Sequence, residues 1–566
     1  MSNLKPNPIF VRENTLEILD GWEFSFDNKI WHPINVPFCP QSRLSGIGYT
    51  DFIRECYYRR KLTAETDGKR VMLHFGAVDY RCSLYVNGKY VGGHIGGYTP
   101  FALDITDFMH KGENDLFLCV YDEDEEVRAS GKQCRRKNSF GCFYTRTTGI
   151  WQPVWLEWVP ENHIDQVRFY PNIQNGTVEV DLRVKGEGAY CVVVSLEGET
   201  VGTAEGEISY QTKLTIPLSQ IKLWAFGEGN LYDVKISFNG DVVTSYFGLR
   251  EVRYQGYDFL LNGKPFMQKT VLDQGFNPDG IYTSLSLEDM QRDIDIALDL
   301  GFNGSRLHQK VFDPRFLYLC DKAGYTVWGE FPSWGLNCTN MDCFGQFLAE
   351  WTEMLKRDFN HPCIIIWCPL NEVWAGLEGN GMQNDPAFIE GIYGFTKAYD
   401  STRPCVDVSG GFHGRYTDLF DFHCYESADK LKEYLDRWAG AAELDVPLLY
   451  APYGGVRYAE GQPVNVSEYG GIALCANPKT TDSVNEGAVQ SEESWGYGSG
   501  ERDGDAFVER YRQLTELLFQ YPKLSGFCYT QLYDIEQEQN GFYNYDRSDK
   551  LTKEQKEEIR RINLHS

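Results

Sequence analysis

The sequence predicts a multidomain β plus α/β protein, in which a jelly-roll β-sandwich and an immunoglobulin-like β-sandwich precede a (β/α)8 TIM barrel. Three observations carry that prediction. The chain has 566 residues, more than one hydrophobic core supports. Up to residue 248 it is written in short alternating runs punctuated by turn residues, with no helical period between them. After residue 249, strands alternate with amphipathic helical stretches in eight units, the arithmetic of a (β/α)8 barrel.

In the first span, residues 1–160, strand runs lie at 71–75, 82–86, 116–121 and 154–159. Asn87-Gly88 follows the second run and is the strongest short hairpin signal. The second span, 161–248, has runs at 177–184, 190–196, 213–216, 232–238 and 242–247. It carries no cluster of acids, histidines or cysteines, so a structural role is expected. The third span, 249–566, opens its first helix with Ser286 and Asp289, a capping box with Asp in place of Glu. Met290, Ile294, Ala297 and Leu298 supply the helical stripe, and Gly301 stands where a C-terminal cap belongs. Barrel strands are expected at 266–272, 303–307, 326–329, 364–369, 405–408, 421–424, 464–467 and 524–529. The helices between them include 344–357, 386–400 and 507–520.

With 54 basic and 81 acidic residues the net charge is −27, which argues against nucleic acid and anionic membrane partners. No run reaches the ~18 apolar residues of a membrane span, and the N-terminus has no signal-like apolar stretch, so a cytoplasmic protein is expected. The 16 cysteines form no C-x-x-C pair and read as reduced core residues. No metal or cofactor is expected. A carbohydrate substrate is the partner the site implies, and a homo-oligomer is compatible with the sequence.

Two runs organise the barrel. Residues 364–370 are almost wholly apolar and end in Asn371 and Glu372, followed by Trp374; residues 464–467 end in Glu468, Tyr469 and two glycines. A carboxylate loses heavily on leaving water, so both acids are expected at the carboxyl ends of their strands, where a barrel gathers its chemistry. The other strand ends offer Asp273, Arg306 with His308, Glu330, Asp407, His423 with Tyr425, and Gln531 with Asp534. Trp334, Trp495 and Tyr533 follow in the loops. Carboxylates, amides and flat apolar faces suit a sugar, and no glycine-rich phosphate fingerprint or Gly-x-Ser-x-Gly elbow competes with that reading. Retaining glycosidases need two carboxyl groups about 5–5.5 Å apart, and Glu372 and Glu468 are the pair expected to supply them. Glu330 is the acid to set against them, since a strand-end Glu paired with Arg is often structural. His413 and His423 read as hydrogen-bonded structural histidines, and Arg135-Arg136-Lys137 as a solvated loop.

A family resemblance rests on these residues. Asn360-His361-Pro362 leading through Trp367 to Asn371-Glu372 resembles the acid/base motif of glycoside hydrolase family 2, and Ser467-Glu468-Tyr469-Gly470 its nucleophile motif. Thr148-Gly149-Ile150-Trp151-Gln152-Pro153-Val154 is similar to the family's sandwich signature. Tyr85-Val86-Asn87-Gly88 and Gly97-Tyr98-Thr99-Pro100-Phe101 also look like family text. The resemblance covers essentially the whole chain in the family's domain order. It implies Glu372 as acid/base, Glu468 as nucleophile and Asn371 as partner of the sugar 2-hydroxyl. It also implies Arg306 and His308 as a second-strand pair and Tyr425 beside the nucleophile. Asp273, Trp334, Trp374 and Trp495 complete the expected sugar-binding set. Two departures bear on the sugar. The first strand ends in Leu272-Asp273-Gln274-Gly275, unlike many members. Glu538-Gln539-Asn540 stands where family β-glucuronidases carry the Asn-x-Lys that holds a sugar carboxylate. The expectation is an exo-acting retaining β-glycosidase for terminal neutral sugars, a β-galactosidase foremost. The alternatives are β-glucuronidase, β-mannosidase or arabinosidase specificity, or a catalytically silent carbohydrate-binding protein, against which the presence of both acids counts.

Overall fold

The computed structural model describes residues 4–123, 128–373, 385–410, 413–440, 443–444, 458–474, 479–480 and 494–565. The first sandwich packs a six-stranded sheet on a four-stranded one. Period-two burial builds it: Val71, Leu73 and Phe75 of Arg70–Phe75 point inward, as do Leu116, Leu118 and Val120 of Glu113–Tyr121. Asn87 and Gly88 take φ of 51° and 74°, the left-handed pair of a tight hairpin turn, and join Arg81–Val86 to Lys89–Ile95.

In the second sandwich the runs expected at 177–184 and 190–196 are one strand, Thr177–Leu196. Its register shifts between Arg183 and Glu187, where Gly186 and Gly188 adopt φ of 94° and 148°, so the glycines bend the strand instead of ending it. Val180, Leu182, Val192, Val194 and Ile236 share its core. Val11–Arg12, near the start of the chain, pairs with this second sheet at Thr244 and Val243. The buried Arg12 guanidinium then ties the sandwiches together, 2.7 Å from Glu157 and 2.9 Å from Asp241.

The barrel strands are β1 (Gln268–Asp273), β2 (Gly304–Leu307), β3 (Thr326–Glu330), β4 (Ile364–Cys368), β5 (Val408–Ser409), β6 (Phe420–Cys424), β7 (Val464–Gly470) and β8 (Leu524–Thr530). Seven form one parallel sheet in the order β4-β3-β2-β1-β8-β7-β6. The fifth strand is shorter and later than the expected 405–408. Only a bridge from Cys405 to Trp367 precedes it, and β5 pairs with Leu370–Asn371, the continuation of β4. Leu287–Asp299 forms the first helix, capped by Ser286, whose hydroxyl accepts from the Asp289 N–H and donates to its carboxylate. Asp289 turns to that hydroxyl and not to the Ser286 backbone, so only half of a capping box forms.

The second sandwich is fastened at the amino-terminal end of β4. Asn360 accepts from the Phe169 N–H and donates to Val167 O. His361 lies 2.6 Å from Asp321, which also accepts from Tyr246, and Arg250 donates to the carbonyls of Pro362 and Ile364. Asn360-His361-Pro362 is therefore an interdomain joint. Every cysteine among the described residues is a free thiol, and no described helix is long and apolar enough to cross a membrane.

Candidate active site

The site is assembled around Arg306, which β2 delivers fully buried into the mouth of the barrel. A guanidinium has five donors in a rigid fork, and here the fork is spread over side chains from three other strands. Nε donates to Glu330 at 2.7 Å, Nη1 to Glu468 at 2.8 Å, and Nη2 to Asn371 Oδ1 at 2.5 Å. His308 Nδ1 stands 2.9 Å from the second oxygen of Glu330. Burial, with Lys132 and Arg306 close by, holds His308 well below the ordinary histidine range.

Glu468 is buried on β7. Burial pushes a carboxylate up, but His423, Arg306, His308 and the Tyr425 hydroxyl outweigh it and hold Glu468 at about 2. Tyr425 donates to its second oxygen and is stacked on Tyr497 at 3.6 Å. Glu372 follows β4 with φ of 46°, its N–H bound to Ser409 O at 2.9 Å, and its carboxylate only partly exposed. One oxygen of Glu372, one of Glu468 and a ring nitrogen of His423 all lie within 4.8 Å of one another. His423 sits opposite Glu468 in the β6–β7 register, with Nδ1 2.7 Å from Glu372 and Nε2 3.5 Å from Glu468. Burial lowers an imidazole, yet the two carboxylates prevail and His423 is raised. Asn371 keeps a buried Nδ2 with no acceptor among the described residues. Its carbonyl takes the Trp334 indole N–H at 3.2 Å.

Most of the expected residues thus meet at one place: Arg306, His308, Asn371, Glu372, Tyr425, Glu468 and Trp334. Trp495 is buried behind Tyr497, at 4.7 Å between rings, and reaches the nucleophile side only through the Tyr497–Tyr425 stack. Asp273 is turned away from the pair. Its carboxylate accepts from the Tyr533 hydroxyl at 2.6 Å and the Gly275 N–H at 2.9 Å, and burial together with Asp293 pushes it up to about 6. Asp407 and Asp534 serve His413 and Lys550, each at 2.7 Å. Trp374 lies outside the described residues. Among the described residues two sets bring three metal-ligating atom types together, Glu372-His423-Glu468 and the joint residues Asp321-His361-Cys363. In both, the polar atoms already serve one another or neighbouring groups.

One wall comes from the first sandwich. Ser130 and Gly131 donate backbone N–H bonds to Trp334 O at 2.7 and 3.0 Å, and the Tyr144 hydroxyl donates to the buried Glu538. Between these anchors lies Lys132, 4% exposed, its ammonium 4.3 Å above the Trp334 ring. Burial lowers a lysine, but the field of Cys142, Glu538, Glu468 and Glu372 outweighs it and keeps Lys132 raised and charged. Neither Lys132 nor the bridging place of His423 is visible in the sequence. Lys132 stands in a run of small and charged residues that reads as a surface loop.

A carboxylate pair this close at the carboxyl ends of two barrel strands, beside an unsatisfied amide donor, is an arrangement suited to glycosidic bond chemistry. The chain belongs to the glycosyl hydrolases family 2. Its sugar binding domain model matches residues 21–156, the family's central model residues 162–250, and its TIM barrel domain model residues 252–475. A β-galactosidase of Thermoanaerobacter pseudethanolicus is 25% identical over 69% of this chain and 54% of its own length. A mouse β-glucuronidase is 26% identical over 76% of this chain and 69% of its own. The chain spans about half the length of the first curated relatives, 47% and 54% for two of them. The solved Bifidobacterium dentium β-glucuronidase shares the fold, with a TM-score of 0.79 and 20% identity, covering 99% of this chain and 97% of that one. So does the Eisenbergiella tayi β-galacturonidase, with a TM-score of 0.76 and 20% identity over 99% and 98%.

Proposed function

We propose that this chain is an exo-acting β-glycosidase that works by double displacement. The observation that carries the reading is the approach of the Glu372 and Glu468 carboxylates within 4.8 Å. That suits the short separation of a retaining pair and leaves too little room for the intervening water of an inverting one. Glu468, held ionised, attacks the anomeric carbon as the glycosidic C–O bond breaks. Glu372 gives its proton to the leaving oxygen. In the second half Glu372 takes a proton from water, the water oxygen bonds to the anomeric carbon, and Glu468 leaves. Arg306 fixes the nucleophile and Asn371 at once, and the free Nδ2 of Asn371 is placed to donate to the sugar 2-hydroxyl. Proton NMR of a nitrophenyl β-glycoside digest tests the stereochemistry: the β-anomer is released first, and initial α-anomer rules out double displacement.

The expectation of a neutral sugar, with β-galactoside foremost, rests only on the want of a cation at residues 538–540. The curated relatives include both β-galactosidases and β-glucuronidases. The buried ammonium of Lys132 supplies a cation from elsewhere and favours an acidic sugar over a neutral one. A cytoplasmic setting belongs to the same proposal, supported by the free thiols of the core.

A further inference from the structure

Lys132 is an anomaly in this pocket. A protonated ammonium carries three donors and no acceptor, and burying it is costly unless anions or dipoles meet those donors. Among the described residues no carboxylate oxygen lies within 4 Å of its Nζ. Its neighbours are the apolar face of Trp334 and the Cys142 thiol, neither of them an anion. Cys142 and then the carboxylates Glu538, Glu468 and Glu372 keep it raised, so its field reaches both members of the carboxylate pair. Glu538 is not free to close on it, because that carboxylate already accepts from the Tyr144 hydroxyl and from Asn540 Nδ2 at 2.9 Å. The backbone around Lys132 is pinned on both sides. Gly131 N–H is bound to Trp334 O at 3.0 Å, and Lys132 O accepts from the Tyr144 N–H at 2.9 Å. A long flexible side chain on a fixed backbone, leaning on an aromatic face, is a preorganised cation.

We propose that Lys132, donated by the first sandwich, is a specificity-determining residue that binds the carboxylate of a terminal β-linked hexuronic acid. The inference rests on the glycosidase reading and deepens it. It places the cation on a sandwich loop, at the wall shared with Glu538, where the barrel's own segment 538–540 has none. Arg135, Arg136 and Lys137 of the same loop are exposed and do not compete for the role. A neutral sugar presents only hydroxyls to the ammonium, whereas a carboxylate both pairs with it and accepts two of its hydrogen bonds.

The test compares kcat/KM of the full chain on nitrophenyl β-glucuronide and β-galacturonide with nitrophenyl β-glucoside and β-galactoside. Wild type should prefer at least one uronide to its neutral counterpart. Lys132→Gln should lower the uronide-to-neutral ratio by about 100-fold, with Lys132→Arg retaining most of it and the exposed Lys137→Gln leaving it unchanged. An equal loss for both classes in Lys132→Gln would mean that Lys132 only props Trp334, and would overturn the proposal. So would a wild-type preference for neutral glycosides, which leaves the glycosidase reading standing. Failure to cleave either class takes down both. Should Lys132→Gln not fold, inhibition of wild type decides: free hexuronate must bind more tightly than the matching hexose, and the reverse order overturns the assignment.

Discussion

The ends of β3 and β7 make an instructive pair. Each carries a buried glutamate on the same guanidinium, Glu330 at 2.7 Å and Glu468 at 2.8 Å from Arg306. Yet the two are pushed in opposite directions. Burial raises Glu330 above the usual carboxylate range and Arg306 only partly offsets it, whereas His423, Arg306, His308 and Tyr425 together overcome burial at Glu468 and hold it at about 2. The second oxygen of Glu330 faces His308 and the Gln309 N–H, inside the wall. That of Glu468 meets a tyrosine hydroxyl instead. An arginine partner does not mark a nucleophile; the neighbours of the other oxygen do.

Several substitutions break or sharpen that contrast, and the largest effect belongs to Glu468→Gln. Turnover should fall by about 10⁴-fold or more while the protein stays folded, with the melting temperature lowered at neutral pH by loss of the stabilising charge. A 2-fluoroglycosyl adduct in wild type should map by peptide mass spectrometry to Glu468, and labelling of Glu330 would reverse the roles assigned here.

Glu372→Ala comes next, and its effect divides by leaving group. Alkyl glycosides and disaccharides need the proton and should lose about 10³-fold or more, while aryl glycosides with acidic phenols should still form the intermediate in a burst. Azide should restore turnover of the aryl substrates and yield the β-glycosyl azide. Equal loss in both classes without rescue would remove Glu372 from the acid/base role.

Glu330→Gln keeps the shape but removes one of the charges that aim Arg306. Loss of about 10²-fold in kcat, with the covalent label still on Glu468, fits a positioning role. Loss as deep as in Glu468→Gln would erase the distinction between the two acids.

Tyr425→Phe gives the smallest effect and reads the pKa directly. Removing one hydroxyl raises Glu468, so the acid limb of the kcat/KM profile should move upward relative to wild type. The sign for stability follows from the same depression. Glu468 contributes stability above its unfolded pKa of about 4.3, and that contribution fades as pH falls toward 2. The melting-temperature gap between wild type and Tyr425→Phe should therefore be open at neutral pH and narrow in acid. A gap that widens in acid contradicts the assignment.

The sequence made the strand ends readable because an apolar run ending in acids can be buried in only one way. Residues 364–372 and 464–468 announced their place in the barrel through that constraint alone, and α/β alternation supplied the rest of the topology. Three things escaped it. The bend at Gly186 and Gly188 looks in sequence like the gap between two strands, since glycine serves both purposes. Asp273 ends its strand as the other acids do, and only the tertiary position of Tyr533 turns it away. Lys132 lies far along the chain from the acids it faces. No local period encodes a contact between a sandwich loop and a barrel mouth, and the neighbouring run Arg135-Arg136-Lys137 draws attention to the exposed cations instead.

That loop has a bearing on how such proteins can be cut and rejoined. Between residues 128 and 148 the first sandwich donates Tyr144 to Glu538 and the Thr145 N–H to Glu536, and takes a Gln537 amide bond on Gly141 O. The loop and the segment after β8 are one surface made from two distant stretches of chain. A chimera that exchanged whole sandwiches at the sequence border near residue 160 would bring a foreign loop to residues 536–538 and lose those bonds together. The workable unit of exchange is the loop with its barrel counterpart, so the seams of this molecule do not run where its domains are divided.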